Sequence, residues 1–209
     1  AHAASTRVGG GMQALLSQQL TLPIERAYEQ TLVNFVRGQN EEVVSALELG
    51  TGSFTGIWVC GARSTGKTHL LRGATLASED LAATAIVDCS LGRTSRDHLL
   101  NALYRISRYA RVVAVDNVVD LAADEACEEA LLTVYERVRA VDGLFVVADR
   151  LAAAATEFRI NDLNSRLRSL MHYRLVALTD EDKAELLIAR ARHRGYTLSD
   201  SVLAYWLSR

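Results

Sequence analysis

The feature that most constrains this chain is the octapeptide Gly61-Ala62-Arg63-Ser64-Thr65-Gly66-Lys67-Thr68, which fits the pattern G-x-x-x-x-G-K-[ST]. An apolar run at 56–60 precedes it and a segment of helical period at 67–78 follows it. A phosphate loop needs that setting. Its glycines let the backbone curl until successive N–H groups face a phosphate, and the N-terminus of the next helix adds partial positive charge. In such a loop Lys67 reaches the β- and γ-phosphates and the Thr68 hydroxyl ligates Mg²⁺. Gly61, Ser64, Thr65, Gly66, Lys67 and Thr68 are therefore the first candidates for holding a purine nucleotide, ATP or ADP.

Such a loop belongs at the end of a parallel strand, and the rest of the chain supplies the sheet. Short β-branched apolar runs at 56–60, 84–88, 111–116, 144–148 and 173–178 alternate with helical segments at 67–78, 95–107, 123–141 and 162–171. This alternation predicts an α/β fold with a parallel five-stranded sheet flanked by helices. After residue 178 the pattern changes. Thr179 caps an acidic first turn, Asp180, Glu181 and Asp182, the helical period then runs over 183–194 to Gly195, and Ser199 caps a second helix at 200–207. Helices without a strand predict the start of a small helical lid.

Two more strand ends carry carboxylates. Asp116 closes the run at 112–116, where it can hold Mg²⁺ through water. The next residue is Asn117, and an amide cannot take a proton from an attacking water as a carboxylate can, so hydrolysis at this site is expected to be slow. Asp149 follows the run at 144–148 and emerges at the same sheet edge. It reads either as a sensor of the γ-phosphate or its water, or as a strand-terminating turn residue.

Composition limits the remaining classes. The chain has 209 residues, 49% of them hydrophobic and 23% charged, and none of its apolar runs approaches the length of a membrane helix; such a helix needs about 20 residues. With 23 basic against 25 acidic residues and a net charge of -2, nothing in the balance demands nucleic acid as a direct partner. Cys60, Cys89 and Cys127 are odd in number, widely spaced and without a metal or disulfide pattern, which fits reduced thiols in a cytoplasm. Residues 1–11, small and polar, read as a cloning remnant or disordered lead.

With these residues in view, the chain resembles the AAA+ ATPases of the DnaA class from about Gln19 onward, and within them most closely the DnaA-related regulatory inactivators. Leu32-Val33-Asn34-Phe35-Val36-Arg37-Gly38-Gln39-Asn40 is similar to the segment that lines the adenine pocket in that class, which brings Val36 and Asn40 to the nucleotide. Gly66-Lys67-Thr68-His69-Leu70-Leu71 is the characteristic continuation and adds His69. Asp162-Leu163-Asn164-Ser165-Arg166-Leu167 resembles the segment with the arginine finger, which implies that Arg166 neutralises transition-state charge on a neighbour's γ-phosphate. Without the resemblance, Arg166 is a helix-surface arginine in an ordinary ion pair, with Arg168 close beside it.

The resemblance extends to both ends. Residues 179–183 and 189–195 are similar to the family's lid, although the basic residues there also suit a helix C-terminus. The lid arginine that senses nucleotide would lie just beyond Arg209. Gln19-Leu20-Thr21-Leu22-Pro23-Ile24 resembles the peptide that docks on the DNA polymerase III sliding clamp, with Gln19 fixing register and Leu20, Leu22 and Ile24 entering apolar pockets. One departure follows Asp149-Arg150, where Leu151 and Ala152 stand in place of the usual prolines and Ala152 to Ala155 favour a more helical loop.

The implied organisation is a lead at 1–11, a clamp-binding segment at 12–28, an AAA+ nucleotide-binding domain at 29–178 and a partial lid at 179–209. The implied protein binds ATP or ADP with Mg²⁺, docks on the clamp and triggers hydrolysis of ATP on DnaA. It meets DNA only indirectly, has no membrane partner, and forms a homodimer or head-to-tail oligomer. Two other readings stand beside it: the AAA+ domain of an initiator or helicase loader acting on origin DNA, and a self-sufficient NTPase, against which Asn117 argues.

Overall fold

The apolar runs become strands in the computed structural model, which describes residues 30–49, 52–90, 95–122 and 124–207. They are β1 (Thr55–Cys60), β2 (Thr84–Asp88), β3 (Val112–Asp116), β4 (Leu144–Asp149) and β5 (Met171–Arg174). Their order is β2-β3-β4-β1-β5, and every neighbouring pair is parallel. The fold is the expected α/β one.

Parallel strands covered on both faces feed alternate residues into two cores. Trp58, Val113, Val115, Phe145 and Val147 join one core with α3 (Arg96–Ile106), α4 (Glu125–Ala140) and α5 (Asn161–Arg168). Ile57, Val59, Ala114, Val146 and Ala148 join the other with α1 (Glu41–Leu49) and α2 (Lys67–Leu76). All of β4 is buried, as its unbroken apolar sequence requires. In α3, Leu99, Leu103 and Ile106 recur at helical spacing and are the residues it buries. Helix starts follow side-chain chemistry too: Ser95 accepts from His98 N at the head of α3, and Asp124 accepts from Cys127 N at the head of α4.

Some boundaries differ from the sequence expectation. The fifth strand is Met171–Arg174, whereas the apolar run pointed to 173–178, and α5 stops at Arg168 rather than at 171. Only Met171 to Arg174 find partners on β1, opposite Ile57 to Cys60. Leu175 N then donates to Cys60 O at 2.7 Å, and the chain leaves the sheet because the Asn40 side chain takes both backbone groups of Val176, at 2.8 and 3.1 Å. The helix α1 has no counterpart in the sequence reading; Val43, Val44 and Leu47 are its buried residues. The alanine loop after β4 forms a single 3₁₀ turn, Ala153–Ala155.

Beyond β5 lie α6 (Asp180–His193) and α7 (Asp200–Leu207). The cap read from the sequence is present in full: Thr179 accepts from Asp182 N, and the Asp182 carboxylate accepts from Thr179 N. Among the described residues no helix is long and apolar enough to cross a membrane.

Candidate functional site

The loop of residues 61–68 leaves the C-terminal end of β1 alongside β4, where Gly61 N donates to Asp149 O at 3.2 Å. Ser64 and Gly66 both have left-handed backbones, φ 62° and 99°, the kind of turn that gathers N–H groups into an anion-binding hollow. A Cβ at Gly66 would lie 2.8 Å from the Phe35 ring, so a side chain there would both strain the backbone and close the hollow. Lys67 Nζ donates to Gly61 O and Ala62 O, each at 2.7 Å, folding the ammonium onto the loop's own carbonyls. Burial pulls its pKa below the usual lysine value, and the carboxylates of Asp116 and Asp149 oppose that shift.

The two residues expected at Mg²⁺ meet directly. Thr68 Oγ1 donates to Asp116 Oδ2 at 2.6 Å, and Asp116 is 6% exposed. A hydroxyl and a carboxylate side by side are the hard oxygen donors that Mg²⁺ takes alongside phosphates and water.

Asn117 is turned elsewhere. Its backbone is left-handed (φ 56°), and its Nδ2 donates to Asp88 Oδ1 at 2.8 Å across the β2–β3 edge. Asp149 is engaged by three backbone N–H groups, those of Val119, Arg150 and Leu151, at 3.0, 2.6 and 3.2 Å. It thereby ties the 3₁₀ turn Val118–Leu121 to the loop after β4. These bonds hold the carboxylate at the end of β4, on the phosphate-loop edge of the sheet.

A cavity of about 370 Å³ opens over the loop. Ser64, Thr65, Gly66, Lys67, Thr68 and His69 line it from the loop and α2, Gln30, Phe35 and Val36 from the preceding segment, and Leu178, Leu186 and Arg190 from the lid side. A mostly apolar wall facing a polar, cationic end suits a base joined to phosphates. His69 bonds Thr31 O at 2.8 Å through Nε2 and meets Phe35 edge to face, with ring centroids 5.2 Å apart. Burial lowers its pKa; the Thr31 bond opposes this, and the charges of Arg190 and Arg72 add to it. It stands in the wall of the cavity.

The structure thus gathers Val36 and the loop residues Ser64 to His69 at one cavity. Two expected members stand behind the lining. Asn40 is 4% exposed and spends its amide on Val176, so it fastens the adjoining segment instead of facing the cavity. Gly61 is part of the loop's own bonding. Gln30, Leu178, Leu186 and Arg190 are lining residues outside the sequence candidates, and of these only the 186/190 pair carries a signal, a leucine and an arginine one helical turn apart in α6.

Arg166 lies on α5 and does not line this cavity. Its Nε sits 3.1 Å from Glu136 Oε1 and 3.5 Å from Asp162 Oδ1. The loop before α5 is firmly fixed: Ile160 N donates to the buried Glu128, and Asn164 both accepts from Phe158 N and donates to Phe158 O. Arg168 lies beside a separate cleft with His172 and Arg174. Gln19, Leu20, Leu22 and Ile24 fall outside the described residues.

No family model matches this chain. An uncharacterized protein of Haemophilus influenzae is 29% identical to it over 202 residues, covering 93% of this chain and 84% of the relative. Among solved structures, domain III of the Thermotoga maritima replication initiation protein DnaA superposes with a TM-score of 0.71 at 16% identity, covering 86% of this chain and 80% of that one. The replication initiator DnaA bound to AMPPCP and single-stranded DNA superposes at 0.66 with 18% identity; it matches 86% of this chain, which spans only 60% of that protein's length. The sheet and its helices have the DnaA AAA+ fold.

Proposed function

We propose that this chain is a nucleotide-binding regulator of replication initiation, related to the DnaA regulatory inactivators, that activates ATP hydrolysis on a DnaA partner. The observation that carries the reading is the cavity over residues 64–69, walled by Phe35, Val36 and the lid side chains Leu186 and Arg190. Backbone N–H groups at Ser64, Thr65 and Gly66, together with Lys67, hold the phosphates of ATP or ADP. Thr68 and Asp116 hold Mg²⁺, which supplies charge neutralisation at the phosphates when bound. His69 and the apolar wall take the base.

Own-site turnover is slow in this reading. No carboxylate follows Asp116, and the amide that does is bonded to Asp88. The chemistry therefore belongs to the partner's nucleotide. Arg166 enters that site from α5, Gln19 to Ile24 dock on the DNA polymerase III sliding clamp, and two copies associate head to tail in the cytoplasm. The domain limits are those implied by the resemblance: a clamp-binding segment at 12–28, the AAA+ domain at 29–178 and lid residues from 179.

The test is hydrolysis of DnaA-bound ATP in the presence of DNA-loaded clamp. Arg166→Ala is expected to remove the stimulation, since a finger is worth about 10³ to 10⁵ in rate, while nucleotide and clamp binding persist. Deleting residues 19–24 is expected to remove clamp retention and leave nucleotide binding unchanged. Full stimulation by the Arg166 variant refutes the reading and favours an initiator or loader, which would instead retain ATP-dependent binding to single-stranded DNA.

A further inference from the structure

Arg166 stands near the C-terminal end of α5, and Glu136 stands on the neighbouring α4. Their closest atoms are Nε and Oε1, 3.1 Å apart, and both atoms are sheltered from solvent without the alignment of a hydrogen bond. The contact is therefore one of charge at short range. Asp162, one helical turn earlier, approaches the same Nε at 3.5 Å. Among the described residues, the terminal NH₂ groups of Arg166 make no hydrogen bond.

We infer that Glu136 is a positioning residue for Arg166, gripping the guanidinium by its Nε edge and leaving the two terminal nitrogens for the γ-phosphate of a second molecule; this rests on the arginine-finger reading above. A long arginine side chain loses rotamer freedom whenever it is fixed. Fixing it before the partner arrives removes that loss from the encounter. The support under Arg166 has the rigidity this needs, because the buried Glu128 carboxylate holds Ile160 N at 2.9 Å and the Asn164 amide clasps Phe158. Arg166 stays one-third exposed at 35%, reachable from outside yet tethered. Glu136 exchanges no proton and touches no substrate; it acts through Arg166 alone.

The experiment measures hydrolysis of DnaA-bound ATP against increasing amounts of the full chain for wild type, Glu136→Gln, Glu136→Asp and Arg166→Ala. Glu136→Gln is expected to lower the maximal stimulated rate about three- to fivefold, the scale of a half-exposed charge pair, with the half-maximal concentration and melting temperature unchanged. Glu136→Asp keeps the charge and is expected to recover most of the loss. A Glu136→Gln variant as fast as wild type overturns the inference. So does a faster one, which would make Glu136 a restraint on the finger, and so does one that changes only the half-maximal concentration. Loss in Arg166→Ala alone sinks this inference and spares the proposed function. No loss in Arg166→Ala brings down both.

Discussion

At Asn117, position in the chain and side-chain contact point in different directions. Its chain position beside Asp116 invites a role at the nucleotide, yet its left-handed backbone (φ 56°) turns the amide to Asp88 Oδ1, 2.8 Å away. Asparagine tolerates that backbone better than most residues, so the fold gains a tie between the ends of β2 and β3. Asp88 also accepts from Ser90 N at 3.1 Å, which extends the tie into the next loop. Asn117→Asp would set two carboxylates against each other and is expected to destabilise the fold by about 1–3 kcal/mol. For a chain of this size that corresponds to a fall of roughly 3–10 °C in melting temperature. Adding Asp88→Asn restores an amide–carboxylate pair with its members exchanged and is expected to recover most of the fall. Calorimetry on the two single variants and the double variant checks the cycle; additive losses would mean that the two side chains do not interact.

At the scale of elements, the caps and the buried strands were legible because their causes are local. The box at Thr179 and Asp182 sits within a few residues of the helix it starts, and both of its bonds form. Thr179→Ala is expected to weaken α6 by about 1 kcal/mol, seen as faster hydrogen exchange at the amides of 181–183 with exchange in β3 and β4 unchanged. Uniform exchange behaviour across the variant would show that the cap contributes nothing locally. The Asp182 carboxylate, which keeps its bond from the backbone N–H of residue 179 in this variant, lies 2.8 Å from where a Cβ on Gly38 would stand, so the start of the lid and the segment before α1 share this corner. β5 was misread for the opposite reason. The apolar run at 175–178 looks like strand, but a side chain 136 residues away, Asn40, draws Val176 out of the sheet. α1 escaped because its paired valines, Val43 and Val44, suit a strand as well as a helix, and only burial against α2 and β1 decides between them.

At the scale of the molecule, the candidate site is an assembly of three stretches distant in sequence. The loop residues and Val36 could be read from a motif and a resemblance, whereas Gln30 comes to the cavity from the segment before α1, and Leu186 and Arg190 come to it from α6. A nucleotide bound there links all three stretches and stabilises the folded state by the mass-action term. At a hundredfold excess over its dissociation constant the gain is about 2.7 kcal/mol, or roughly 5–10 °C in melting temperature for a chain of this size. Two variants separate the loop from the lid. Lys67→Ala removes the bonds to Gly61 O and Ala62 O and, on the proposed function, the contact with phosphate, so it is expected to abolish the ATP and ADP shifts and to melt lower even without nucleotide. Arg190→Ala alters the cavity from the α6 side. It is expected to weaken nucleotide binding about tenfold, equivalent to about 1.4 kcal/mol, and to shrink the nucleotide shift accordingly. Undiminished affinity in Arg190→Ala would mean that the lid borders the cavity without closing on its occupant, leaving nucleotide capture to the loop and the segment around Phe35.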